Sequence, residues 1–401
     1  MGTSGVARGG TGRPLSRTPP AAPGGGVRPG GFLPPHPAAH TAARARTPPH
    51  ALDGTGGPGG TLVRQDSGRR SVSSSGYPPV RAIGRGAAWY RGDCHVHSIH
   101  SDGELTPEEL AVRARASGLD FIATTEHNAP AAPGAWGHLA ADDFLIVLGE
   151  EVTTRNGHWL ALGLGPGDVV GWDHRPGEGR VDACLEQVHR AGGLCVVAHP
   201  HAPYPSGDFA FPLAGFDAVE VWNGLWASDR PWNADNEAAL TAWGRSLAAG
   251  LRAGSWRPAV GNSDAHLDGQ IGSPQTVVLA EELSTGAVLA GIRTGRCWIA
   301  ESADVDVSFT ARADGRVAKV GERLATRGER VHVHVVVRGV PAGTVRILTD
   351  RGEAHRASLP GRGAGTVRWT TTAGDSAYVR VEVRRPRDGH MAALTNPIAL
   401  D

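Results

Sequence analysis

The stretch from Arg91 to Gly103, R-G-D-C-H-V-H-S-I-H-S-D-G, concentrates side chains able to bind metal. His95 and His97 are two apart, and on a β-strand that spacing puts both imidazoles on one face. Asp102 follows in a Ser-Asp-Gly turn, with His100 in between. Three imidazoles and a carboxylate within eight residues supply the nitrogen and oxygen donors favoured by zinc, manganese or iron. Taken alone, a His-x-His reads as a polar loop with surface histidines. Here later segments add matching ligands: His127, Glu151, His158, His199, Asp264 and His266. Catalytic metals typically take three or four protein ligands each and keep a position for water, so such a set could serve several ions.

These residues must be brought together by the elements that carry them. Ala87 to His97 reads as a strand ending in the ligand pair. Thr106-Pro107-Glu108-Glu109 is a strong helix start, with Thr106 as N-cap, Pro107 at the first helical position and Glu109 completing a capping box. That helix should stop at Gly118. Leu119–Thr124 then reads as a buried strand ending at Glu126-His127-Asn128. Phe144–Leu148 ends at Glu150-Glu151, Leu194–Ala198 at His199-Pro200-His201, Ala218–Val221 at Trp222-Asn223, and Pro258–Gly261 at Asp264-Ala265-His266. Helices are expected near Val181–Ala191 and Asn236–Ala249. Alternating strands and helices indicate a mainly parallel sheet. Ligands at the carboxyl ends of different strands are where closed α/β barrels form active sites. His158 lies at the start of its strand, which would fit if that strand ran antiparallel. His201 and Asn223 are candidates to line the pocket.

From about Ala303 the pattern changes. Val331, Val333, Val335 and Val337 alternate with Arg330, His332, His334 and Val336, Val379, Val381 and Val383 alternate with Arg380, Glu382 and Arg384, and helical periodicity is absent. This predicts a small antiparallel β-sandwich of immunoglobulin-like type. It contains a second His-x-His, His332 and His334. No acidic ligands are placed to match it, so it reads as an outward strand face.

Composition bounds the remaining classes. The 401 residues carry no formal net charge and are 40% hydrophobic, enough for a substantial core. Residues 1–86 hold eleven arginines against Asp53 and Asp66, so the remainder is acidic by about nine charges. An acidic folded part suits cation binding and argues against nucleic acid as the main partner. The first 86 residues are rich in Gly, Pro, Ala, Ser and Arg and read as a disordered tail. The four cysteines form no C-x-x-C pair, which argues against a disulfide framework or a cysteine zinc site. No membrane-spanning run and no signal-peptide h-region are seen, so the expectation is a soluble, cytoplasmic protein.

Six ordered segments, H-V-H-S-I-H-S-D-G, T-T-E-H-N, G-E-E-V-T-T, G-H-W-L-A-L-G, V-A-H-P-H and G-N-S-D-A-H, resemble the PHP (polymerase and histidinol phosphatase) family. The flanking sequence is similar to its carbaryl-hydrolase-like (CehA/McbA) branch. Thr395-Asn396-Pro397-Ile398 near the C-terminus also looks like that branch. The resemblance covers about residues 87–300. It implies a distorted (β/α)7 TIM-like barrel over residues 87–302, followed by the β domain at 303–401, with two to three divalent metal ions at the barrel mouth. By motif position, His95, His97, Glu151 and Asp264 would hold one metal, with Glu151 bridging. Glu151, His158 and His199 would hold a second, and Asp102, His127 and His266 a third. Glu151, Asp264 and His199 would form the catalytic centre. Two departures from the family pattern are Glu126, where aspartate is common, and His100, which competes with Asp102.

The activity expected from this set is metal-dependent hydrolysis, most simply of a small-molecule phosphate ester by a metal-activated hydroxide. Two other readings share the sequence. One is hydrolysis of a carboxylic or carbamate ester, or an amide, on the same site. The other is a non-catalytic, metal-stabilised binding module.

Overall fold

A computed structural model describes residues 76–401. The chain-order elements of the first part are β1 (Ala88–Asp93), α1 (Pro107–Ala116), β2 (Phe121–Thr124), β3 (Leu145–Thr154), β4 (Gly157–Leu162), α2 (Arg180–Arg190), β5 (Leu194–Val197), β6 (Ala218–Asn223), α3 (Asn236–Ala253) and β7 (Ala259–Asn262). β8 (Gln275–Ala280), α4 (Thr285–Arg293) and β9 (Cys297–Ala300) complete it. Capping side chains fix where α1 and α3 begin. At α1, Thr106 accepts from the Glu109 backbone, the Glu109 carboxylate accepts from the Thr106 backbone, and Pro107 opens the helix. At α3, Asp235 accepts from the Ala238 amide, and Gly254 closes the C-terminus with φ +67°.

β1, β2 and β3 pair in parallel, as do β5, β6 and β7. β4 lies between the two sets, antiparallel to both β3 and β5. This reversal resolves the odd position of His158: the amino end of β4 lies opposite the carboxyl end of β3, with His158 facing Thr153. Just beyond β1 and β7, a parallel bridge joins Val96 to Ala265. The two ends of this run of strands therefore meet. Every residue of β2, β4, β5, β6 and β7 is buried, as expected for strands covered on both faces.

The chain then becomes sheet-rich: β10 (Asp306–Ala313), β11 (Arg316–Lys319), β12 (Arg323–Leu324), β13 (Val331–Arg338), β14 (Thr344–Thr349), β15 (Gly352–Ser358), β16 (Ala364–Thr371), β17 (Tyr378–Arg384), β18 (Met391–Thr395) and β19 (Ile398–Leu400). One four-stranded sheet has the order β11-β10-β13-β16. Opposite it, β14 and β17 pair antiparallel. Val333, Val335 and Val337 of the first sheet share one apolar core with Ile347, Val381 and Val383 of the second. The fold is thus mixed α/β with a sheet-rich C-terminal part.

Two features go beyond the sequence expectation. The second C-terminal sheet is not self-contained, because β18 pairs with β9 and continues the sheet of the first part. The Thr395–Ile398 segment supports that junction. Asn396 is buried and uses its side-chain amide as a splice: Oδ1 accepts from the Ala259 amide at 2.8 Å, and Nδ2 donates to the carbonyls of Ala259 and Cys297. In addition, residues 76–86, assigned to the tail by composition, make specific contacts. The Ala82 amide donates to the Leu283 carbonyl, the Gly84 amide to that of Asp142, and Arg85 pairs with Asp120. Composition measures apolar content and misses such backbone pairing. The rest of the expected tail, residues 1–75, lies outside the described residues.

Candidate metal centre

Each of the nine expected ligands comes to the same end of the strand array. His95 and His97 leave β1, Asp102 sits in the turn that follows, and His127 follows β2. Glu151 is within β3, His158 opens β4, His199 follows β5, and Asp264 and His266 follow β7. Four overlapping groups have ligand atoms within 4.8 Å of one another: His97/Asp102/His127/His266, His95/His97/Glu151, His95/His199/Asp264 and Glu151/His158/His199.

Carboxylates form the axis of the cluster. Asp264 Oδ1 is 3.2 Å from His95 Nε2 and 3.1 Å from His97 Nε2. Glu151 Oε1 is 2.9 Å from His158 Nδ1 and 3.2 Å from His199 Nε2, and it approaches His95 at 3.5 Å. Glu151 Oε2 faces His97 and His127. Asp102 Oδ1 lies 3.3 Å from His127 Nε2 and 3.2 Å from His266 Nε2. Asp102, and not His100, therefore joins the cluster; His100 is exposed, and its amide donates to Ser98 Oγ. The buried floor lies at His95, His97 and Glu151, while Asp102 is 53% exposed and marks the open side.

Proximity satisfies only part of the cluster: Glu151 Oε1 is hydrogen-bonded to His158 and His199. His95 Nε2, His97 Nε2, Glu151 Oε2, His158 Nε2, His199 Nδ1 and Asp264 Oδ1 are buried without a hydrogen-bond partner among the described residues. Each such atom ordinarily costs about 1–3 kcal/mol. Six in one place make no sense as a structural ion-pair network, but they are what converging lone pairs would look like before a cation enters. The backbone is strained at the same place. His199, Asp264 and Asn128 have φ of +24°, +51° and +51°, a region non-glycine residues enter at a cost of about 1–3 kcal/mol. Asn128 is locked by its side chain, which accepts from the Thr153 amide and donates to its carbonyl.

The electrostatics agree. Burial alone would raise Glu151 and Asp264, but the surrounding imidazoles outweigh it and hold both carboxylates well below their ordinary range. In return, against the effect of burial, the carboxylates raise His127 to about 10 and His266 to about 9. Burial, reinforced by the neighbouring His266 and His127, lowers His97 to about 3 and leaves it neutral. Negative charge that draws protons onto imidazoles in this way would draw divalent cations into the same positions.

A second ring of residues orients the first, and of these the sequence draws attention only to Asn223 and Glu126. Glu220, fully buried in β6, faces His95 Nδ1 at 3.2 Å and accepts from the His199 amide at 2.9 Å, from Asn262 and from Asn223. Asn223, a pocket candidate, also donates to Asp264 Oδ2 at 3.2 Å. Asp93 accepts from the amides of His95, Ser263 and Gly272, fastening the ends of β1 and β7 together, while burial raises it to about 6. Thr153 meets His127 Nδ1 at 2.6 Å. Glu126 binds the loop after β1 through the Ser98 amide and both the Ser98 and Ser101 hydroxyls. A signal for Glu220 was present: an acid inside the apolar run A-V-E-V-W needs a buried partner. His201 does not join the ligand cluster, and its carbonyl accepts from the Asp235 amide. One further trio, His189, Cys195 and Asp217, lies near the outer end of β5. There Asp217 is already engaged by the Cys195 amide, His189 and Arg293, and burial raises the Cys195 thiol far above its ordinary value.

Comparison with known proteins adds the following. The PHP-associated family (PHP_C) matches residues 252–297, which include Asp264 and His266. No curated protein matches the chain. Among solved structures, the chain is similar to a two-domain protein from Bacteroides vulgatus containing a predicted PHP-like metal-dependent phosphoesterase. That pair shares 16% identity over 82% of this chain and 99% of the other, with a TM-score of 0.43. It is also similar to an amidohydrolase from Chromobacterium violaceum with bound sulfate and no metal (20% identity, 45% and 89% coverage, TM-score 0.30). A third is the lesion-specific endonuclease PfuEndoQ from Pyrococcus furiosus (16% identity, 52% and 56% coverage, TM-score 0.30). No helix among the described residues is long and apolar enough to cross a membrane.

Proposed function

We propose that this protein is a metal-dependent hydrolase of the PHP family, acting on a small phosphate ester at a centre of two or three divalent ions. The observation that carries the proposal is the six buried donor atoms left without hydrogen-bond partners where nine imidazoles and carboxylates converge. The PHP-associated match over Asp264 and His266 supports the same family. In this reading, β1 to β7 form the distorted seven-stranded barrel, and the C-terminal sheets an immunoglobulin-like sandwich. The CehA/McbA branch rests on the motif resemblance alone.

The donor set fits zinc, manganese or iron, since imidazole and carboxylate suit all three. His95, His97, Glu151 and Asp264 would hold one ion, Glu151, His158 and His199 a second, and Asp102, His127 and His266 a third. Bound ions would supply Lewis acidity and water of lowered pKa. The chain's own part is positional. Glu151 reaches two ligand groups from one carboxylate and fixes their separation. Glu220 sets the tautomer and tilt of His95. The open side at Asp102 gives a substrate its approach, while the floor around His95 and His97 excludes bulk water. The test is hydrolysis of p-nitrophenyl phosphate against p-nitrophenyl acetate and a carbamate ester by metal-reconstituted protein. Turnover of the phosphate ester that disappears with chelator and returns with metal is expected. Turnover of only the carboxyl or carbamate ester would overturn the substrate reading.

A further inference from the structure

The loop after β5 reads H-P-H-A-P-Y-P-S-G, from His199 to Gly207. Its tyrosine, Tyr204, stands beside the cluster. The ring centroid is 6.1 Å from that of His158 and 6.2 Å from that of His199. Both histidines belong with Glu151 to one candidate metal group. Among the described residues, none hydrogen-bonds the phenol oxygen. Tyr204 is half-buried and its hydroxyl stays open to solvent, where a ligand can reach it.

The loop is constructed to hold this ring still. Pro203 and Pro205 flank it, so Ala202 and Tyr204 each precede a proline and are confined to extended backbone. The Tyr204 carbonyl accepts from the amides of Gly207 at 2.9 Å and Asp208 at 3.3 Å, closing a turn. Gly207 lies against the ring. A Cβ there would stand 2.3 Å from Cε2 and 2.6 Å from Cζ, so only glycine leaves room for the phenol in this place. The Ala202 amide donates to the His199 carbonyl at 3.0 Å, which ties the loop to the ligand it follows. Stiffening of this kind lowers the entropy lost when a ligand binds.

We propose that Tyr204 is a substrate-binding residue whose hydroxyl donates a hydrogen bond to a non-bridging oxygen of the ester held beside Glu151, His158 and His199. The proposal rests on the hydrolase reading above. A phenol is protonated at neutral pH and so is available as a donor to an anionic oxygen. Tyr204→Phe keeps the ring and removes only the donor, whereas Tyr204→Leu removes both.

The experiment uses the full chain loaded with metal and measures binding of inorganic phosphate by calorimetry, metal content, and kcat and KM for p-nitrophenyl phosphate. Tyr204→Phe should keep the wild-type metal complement and melting temperature yet bind phosphate about tenfold to a hundredfold more weakly, the range for one hydrogen bond to a charged group. Tyr204→Leu should lose the same factor. Wild-type phosphate binding by Tyr204→Phe, with loss only in Tyr204→Leu, would show that the ring merely packs, and would overturn the proposal. Reduced metal content in Tyr204→Phe would also overturn it, because the residue would then act through the ligands. Wild-type protein that holds metal but neither binds phosphate nor cleaves any ester sinks the hydrolase reading and this inference together. Wild-type protein that does both, with Tyr204→Phe unaltered, sinks this inference alone.

Discussion

The chain contains two His-x-His pairs, and their spacing is all they have in common. His95 and His97 are buried just beyond the carboxyl end of β1 and meet Glu151 and Asp264 at 3.1–3.5 Å. His332 and His334 lie within the amino-terminal half of β13, on the face turned away from the core residues Val331, Val333, Val335 and Val337. Their neighbours across the sheet are Arg312 and Thr370 for His332, and Thr310 and Arg368 for His334. Strand periodicity aligns both pairs equally well. Position at a strand end and the presence of carboxylates separate a metal centre from a polar sheet face.

A second contrast sharpens this one, because the C-terminal part also buries charge. Glu382 is 1% exposed and surrounded by Arg380, Arg384 and Arg346, with hydrogen bonds of 2.8, 3.0 and 2.7 Å. Both its oxygens are engaged in hydrogen bonds. At the candidate metal centre, by contrast, six buried imidazole and carboxylate atoms in one place have no hydrogen-bond partner among the described residues. In the first cluster only Arg380 Nε is left unpaired among the described residues, and paired charge of this kind stabilises a fold; in the second, converging unpaired lone pairs offer ligands to a cation.

The variants that test this contrast fall in order of effect. Glu151→Ala removes the carboxylate shared by two groups, so metal content by elemental analysis should collapse and hydrolysis should fall to background. Glu382→Ala should do the reverse. It leaves the buried Arg380 guanidinium without its carboxylate, while Arg346 and Arg384 keep Glu353 and Glu237, and should lower stability in urea by about 3–5 kcal/mol, while metal stoichiometry at low denaturant stays unchanged. The acid limb tests the same residue. Burial opposes ionisation of Glu382, but the three arginines outweigh it and lower its pKa. Its contribution is therefore complete above the unfolded value of about 4.3 and is lost as pH falls through the lower folded value. Glu382→Gln should flatten stability against pH in that acid window, and an unchanged acid limb would contradict the assignment.

Glu220→Gln should weaken metal binding about 10–100-fold, the usual effect of losing a carboxylate that orients a ligand. Competition with a chromophoric chelator would measure this. Smallest of all, the double variant His332→Ala and His334→Ala should shift stability by no more than about 0.5 kcal/mol and leave metal content unaltered. A loss of metal there would break the comparison outright.

Much of the centre was legible because strand ends are legible. Apolar runs that stop at His127, Glu151, His199 or Asp264 announce both the strand and its polar terminus, and the Thr106 capping box placed α1 to within a residue or two. Less could be read where partners are distant in sequence. Glu220 acquires meaning only because β6 carries it opposite His95, 125 residues away. The direction of β4 was open from pattern alone, since a fully buried strand has no alternation to read. The sheet shared between β9 and β18 could not be inferred either, because local composition changes at the point where pairing continues.

Elemental analysis of the full-length chain, reconstituted with zinc, manganese or iron and then desalted, tests the central claim most directly. Two or three ions per chain in the wild type, falling sharply in Asp264→Ala while that variant stays folded, is the predicted result. A folded wild-type protein that retains no metal under these conditions would contradict the account.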